Sequence, residues 1–127
     1  MGFDQYHEPP DELPEATRTF ARLCASLTEE AEAIGWYEQR IAVEQDPEAL
    51  AVMKNAMTEE YKHFCMDLEF LLRRTPTWRA IAEAILFGEG DIVEAGEEAE
   101  EDAGLGGSGG GAQPGSLGIG SLKGAGL

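Results

Sequence analysis

Apolar residues recur at steps of three and four along two long stretches of the chain. In the first, Leu23, Leu27, Ile34, Tyr37 and Ile41 share one stripe; in the second, Leu50, Met53, Met57, Phe64, Leu68 and Leu71 do. This spacing predicts two amphipathic helices. Each stripe has one gap of seven residues, filled by Glu30 in the first helix and by Glu60 in the second. An ionised carboxylate in an apolar seam costs several kcal/mol unless a cation meets it. Each long helix therefore carries one acid near its middle that needs a partner.

Punctuation fixes the boundaries. Asp46-Pro47 and Thr75-Pro76 each read as an N-cap residue followed by proline at the first helical position. They divide the folded part, residues 13–88, into helices over 14–45, 47–74 and 76–87, with Gly88 as the last stop. Arg73 and Arg74 fall in the last turn of the second helix, where cations suit the dipole. No strand pattern is present. The predicted fold class is all-α: an antiparallel two-helix hairpin plus a short third helix. Such a hairpin buries only part of its apolar surface, so two copies are expected to dimerise into a four-helix bundle. Residues 1–12 read as a flexible N-terminus and 89–103 as an acidic linker. Residues 104–127 hold 11 glycines in 24 positions and read as a flexible tether.

The seam acids suggest chemistry. Glu60 and His63 form Glu-x-x-His, which places carboxylate and imidazole on neighbouring turns of one face. Di-iron carboxylate bundles take a Glu from each of two helices and Glu-x-x-His from each of the other two. This chain supplies one of each, half the set. Two copies related by a two-fold axis would supply all of it. Glu30, Glu60 and His63 are thus the candidate metal ligands, and carboxylates with one imidazole suit iron, manganese or zinc. The competing reading is an ion pair, with a seam Glu meeting an arginine such as Arg40 across an interface.

Composition sharpens this. The chain carries 25 acidic against 9 basic residues, a formal net charge of −16. Nucleic acid and anionic membrane both reward basic patches, so neither is expected as a partner. No apolar run approaches the ~20 residues of a membrane span, and a soluble chain is expected. Cys24 and Cys65 stand in no paired motif and no secretory signal is evident, which favours reduced thiols in a cytosol. Cys65, Met53, Met57 and Met66 are expected to serve packing, and His7 no site.

Glu29 and Glu32 lie on a different face from Glu30, rotated by at least ~100°. They read as a solvated face or as a funnel concentrating cations. Trp36 continues their stripe and is expected at a subunit contact. Tyr37 lies on the seam two turns from Glu30, as core or as a residue that orients ligands or donates an electron. Gly35 costs up to ~1 kcal/mol inside a helix, and close helix approach would explain it. Within the tail, residues 115–124 depart from plain linker: Leu117, Ile119 and Leu122 are aliphatics among small residues, the pattern of a docking peptide.

These parts together resemble one family. "EEAEAIGWYEQR" (29–40), "EEYKH" (59–63), "LEFLLRR" (68–74) and the terminal "GSLGIGSLKG" (115–124) are similar to stretches of the encapsulated ferritins, ferritin-like cargo of encapsulin nanocompartments. The resemblance covers nearly all of the folded part and the tail motif. It implies helical hairpins that dimerise and assemble into an annular decamer, with a di-iron ferroxidase centre between two subunits. It implies iron ligands at Glu30, Glu60 and His63, entry-site acids at Glu29 and Glu32, and an aromatic pair near the centre at Trp36 and Tyr37. The last ten-residue motif resembles the peptide that docks cargo on the inner wall of the encapsulin shell, inside a bacterial or archaeal cytoplasm. Tyr61 and Lys62 depart from the further acid often found there, so metal affinity or entry rate is expected to differ. The expected activity is oxidation of Fe(II) to Fe(III), with Glu60 as the bridging carboxylate, and delivery of iron to a mineral in the shell lumen. The alternative is a non-catalytic metal-binding or adaptor cargo protein.

Overall fold

A computed structural model gives the architecture, with residues 5–104 described. It divides into two compact units, Met1–Arg74 and Thr75–Leu127. The break falls inside the stretch that the sequence suggests is one domain.

The first unit is a helical hairpin. Helix α1 (Glu15–Val43) and helix α2 (Pro47–Arg73) have 29 and 27 residues. They are antiparallel neighbours joined by a three-residue turn and packed along their length. Every predicted seam residue is half-buried or buried, from Leu23 to Ile41 on α1 and from Leu50 to Leu71 on α2. Trp36, at 49% exposure, lies on the outer face as its stripe requires. Met66 is 60% exposed, so it is not core filler; it sits two residues from the seam position Phe64.

Helix α1 stops two residues short of its expected end. Glu44 is extended, and its carboxylate accepts from the amides of Gln45 (3.2 Å) and Asp46 (3.0 Å). Proline at 47 disfavours helical geometry in the residue before it, and the turn is built from that constraint. Asp46 caps α2 as expected, its Oδ1 accepting from Ala49 N at 2.9 Å. Residues 5–12 include a single 3₁₀ turn, Pro10–Glu12. Arg18 holds that turn to α1, donating from Nη1 to the Pro10 carbonyl at 2.8 Å and from Nη2 to Glu15 at 2.7 Å. The segment expected to be free is thus tied down close to α1.

The second unit holds two short helices. Helix α3 (Pro76–Ile85) begins at Thr75, which makes no side-chain capping bond. It ends before the expected stop. Leu86 turns extended, and Phe87, not Gly88, takes the left-handed conformation (φ 64°) while fully exposed. Helix α4 (Ile92–Asp102) occupies most of the stretch expected as linker. Asp91 caps it, accepting from Glu94 N at 2.9 Å. Its packed face is small: Ala95 and Gly96 are half-buried, Ala99 is buried, and a Cβ on Gly96 would meet Ile85 Cδ1 at 3.9 Å. With α3 against it, this stripe supports a helix where the sequence shows mainly acids. No helix among the described residues is long and apolar enough to cross a membrane.

Candidate metal centre

Glu30 and Glu60 lie fifteen residues before and fifteen after Gln45. At 1.5 Å per residue, antiparallel packing sets their Cα atoms at about the same level of the hairpin. His63 follows one turn on from Glu60. One donor atom from each of Glu30, Glu60 and His63 lies within 4.8 Å of the other two. Nδ1 of His63 stands 3.6 Å from Oε1 of Glu60. Metal–ligand bonds of ~2.1 Å put octahedral donors at most ~4.2 Å apart. Side-chain shifts of about half an ångström would therefore close the three donors on one cation.

The donors differ in exposure. Glu60 and His63 side chains are 25% and 45% exposed. Glu30 Oε1 is buried and has no hydrogen-bond partner. Burial pushes the Glu30 carboxyl up to about 7, helped by the facing Asp67 carboxylate and by the charges of Glu60 and Glu29. Asp67 Oδ2 is likewise buried and unpartnered. With both groups ionised neither can donate; a proton held between Glu30 and Asp67, or a cation, resolves the pair. These orphaned oxygens and the hard carboxylate–imidazole donor set fit a divalent cation.

Asp67 is absent from the sequence-derived site. The stripe from Phe64 to Leu71 is already satisfied through Leu68, which hides Asp67 three residues after Phe64. The available signal is its spacing: Asp67 is four residues after His63 and seven after Glu60, on the same face.

The remaining expected residues fall around this cluster. Glu29 and Glu32 are exposed on the neighbouring face. Tyr37 is half-buried on the seam, with the Arg40 guanidinium 5.3 Å from its ring centre. Within this chain Arg40 thus stacks on Tyr37. Lys62 turns to Glu59, Nζ to Oε1 at 2.8 Å, and holds the Glu59 carboxyl below its ordinary range by hydrogen bond and charge. Its charge is thus taken up outside the three-donor cluster. Cys65 is a free, exposed thiol, so it serves no packing role in the hairpin. Gly35 has open space where a side chain would be, so no close approach among the described residues explains it. Leu117, Ile119 and Leu122 lie outside the described residues.

Comparison with known proteins identifies the family. The EncFtn-like family model matches residues 5–89. An "Encapsulated ferritin-like protein" from Rhodospirillum rubrum is 42% identical over 124 residues, covering 93% of this chain and 87% of its own. A "Ferritin-like protein" from Thermotoga maritima is 40% identical over 95 residues, covering 75% of this chain and 83% of its own. The crystal structure of a Nitrosomonas europaea protein superposes with a TM-score of 0.68 at 36% identity, over 70% of this chain and 99% of that one. The chain belongs to the EncFtn-like family, the encapsulated ferritin-like proteins.

Proposed function

We propose that the protein is a ferroxidase carried as encapsulin cargo. Fe(II) is the substrate, and Glu30, Glu60 and His63 of each of two subunits bind a pair of ions across a dimer interface. The observation that carries this reading is the convergence of three donors from two helices within 4.8 Å, one of them a buried carboxylate without a partner. Three protein donors leave a cation short of the four to six ligands it prefers. The exposed edge formed by His63 and Glu60 is where a second copy would complete the set. Among the described residues of the hairpin only Leu71 and Leu72 are buried, which supports assembly into a dimer and then a ring. Family membership and the relatives' names favour iron as substrate and an encapsulin shell as the partner.

Within the centre, Glu60 is the bridging carboxylate, with the imidazole of its own helix and the acid of the other both within 4.8 Å. Glu30 and His63 complete each ion's shell. Carboxylates favour the harder Fe(III) product, so loss of one electron from each Fe(II) to dioxygen becomes easier as negative charge gathers around it. Glu29 and Glu32, exposed beside the seam, raise the local cation concentration. Trp36 packs against a neighbouring subunit, and Tyr37 orients the donors from the next turns. Residues 115–124 dock the protein on the shell wall, and Fe(III) passes to a mineral in the shell lumen. The test is aerobic Fe(II) oxidation by the Glu30→Ala/His63→Ala double variant. A large loss of rate is expected; oxidation as fast as the parent would overturn the proposal.

A further inference from the structure

We propose that residues 86–94 of one copy dock in a groove on the outer face of α2 in a second copy. The contact needs no metal and lies apart from the seam, so it goes beyond the shared-ion interface described above. Three observations carry it.

The first is a second stripe on α2. The seam takes up Phe64, Leu68 and Leu71. Lys62, Cys65, Met66, Glu69, Phe70 and Arg73 recur at i, i+3, i+4, i+7, i+8 and i+11, the spacing of a buried helix face. At 100° per residue, this stripe centres roughly 160° round the helix from the seam. With Arg74, its residues line a groove of about 700 Å³. Met66 and Cys65 within it are both exposed. Helix α2 thus has two faces with apolar content, and the hairpin covers one of them.

The second is a knob on the second unit. Leu86, Phe87, Ile92 and Val93 are large apolar residues within one stretch of eight, and all are exposed. Phe87 is 100% exposed and held at φ 64°. A buried aromatic ring takes about 150–250 Å² out of water, and this one takes out none. The packing of α3 on α4 runs past Gly96 and Ala99 and leaves Phe87, Ile92 and Val93 in solvent.

The third is charge. Residues 86–94 read Leu-Phe-Gly-Glu-Gly-Asp-Ile-Val-Glu, three acids and no base. The groove carries Lys62, Arg73 and Arg74, three of the chain's nine cations, against the single acid Glu69. In a chain of net charge −16, such a surface selects an acidic apolar segment. The pairs of Lys62 with Glu59 and of Arg73 with Glu69 are exposed, so incoming carboxylates compete for both cations. Arg74 lies over the Phe70 ring at 4.0 Å, which brings the cationic rim and the apolar floor together. Phe87 then seats on Met66 and Phe70 while Glu89 and Glu94 meet the rim. A second copy is the occupant because every copy offers both surfaces, so a two-fold pair closes two such contacts at once.

Cys65 reports on the groove directly. The test uses two full-length proteins in chelator, both Cys24→Ser. One keeps Cys65; the other, tagged, carries Cys65→Ser and Gly90→Cys. A Cβ at Gly90 meets nothing within 4 Å, so this cysteine leaves the fold and the docking side chains unchanged. Mild oxidation of the mixture is expected to give a disulfide-linked heterodimer on a non-reducing gel. Its yield should be about tenfold above that with Val43→Cys, an exposed position on the hairpin, in place of Gly90→Cys. Equal yields overturn the inference. Phe87→Ser in the tagged copy should lower the yield about tenfold, and an unchanged yield also overturns it. Arg74→Glu in the other copy should lower it too, with Glu89→Arg in the tagged copy restoring part of the loss. A single chain bearing both Cys65 and Gly90→Cys should link into dimers; linkage only within monomers means that the chain fills its own groove, and overturns the second-copy contact. Because the chelator removes metal throughout, these outcomes do not depend on the ferroxidase reading.

Discussion

Glu30 holds its proton unusually tightly, and that has consequences for stability and for metal uptake. An ordinary glutamate titrates near 4.5, whereas burial and the facing Asp67 hold this one at about 7. Between these values the metal-free folded chain keeps a proton that the unfolded chain has released. Stability therefore falls as pH rises from about 4.5 to about 7 and is level above it. The loss is smaller than full burial would give, because only one Glu30 oxygen is out of water. Glu30→Gln should flatten this slope, so that the metal-free variant melts higher than the parent at pH 8, as read by thermal denaturation. A parent whose stability rises across this window would contradict the assignment. A cation must displace the same proton, so affinity should weaken as pH falls below about 7. Of the clustered residues, Glu30 and Glu60 stand out in the sequence as seam interruptions, and His63 by its spacing from Glu60. Asp67 does not, because an adjacent leucine already satisfied the apolar step.

At the scale of elements, the two Pro-led helix starts are chemically unequal. Asp46 bonds the Ala49 amide, while Thr75 makes no capping bond to α3. Asp46→Ala should destabilise the hairpin by about 1 kcal/mol, read by urea titration followed by helicity; an unchanged midpoint would refute the capping role. The long helices were readable because large aliphatics mark their buried face. Helix α4 escaped because its buried face is Ala95, Gly96 and Ala99, residues that leave almost no periodic hydrophobic signal. The end of α3 escaped for another reason. A glycine was available at 88, yet the left-handed turn fell on Phe87, a choice worth roughly 1–2 kcal/mol of strain. That choice depends on where Leu86 leaves the helix, which no single residue announces.

For the whole molecule, charge and donor count pull in opposite directions. A net charge of −16 per chain opposes association of copies. Each proposed dimer-shared ion offsets part of that charge while completing a set that one chain leaves partial. Anaerobic Fe(II) should therefore shift the protein toward larger species, and chelation should reverse the shift. Mass measurement in the two conditions checks this; identical distributions would favour an adaptor whose acids serve solubility. Fold class was legible at this scale from periodicity and punctuation. The division at Arg74/Thr75 was not, because Thr75-Pro76 looks the same whether it joins two helices of one unit or two units.

The placement of Glu30 and Glu60 at equal distances from Gln45 makes the turn a gauge. Neither acid can approach the other unless the three residues 44–46 hold both helices to one length, about 20 Å of rise on each side. The turn carries no donor of the cluster, yet it sets the tolerance to which the cluster is assembled. An insertion there would leave two sound helices and rotate their acids out of step. An insertion at this bend should therefore disturb the cluster without touching any of its acids.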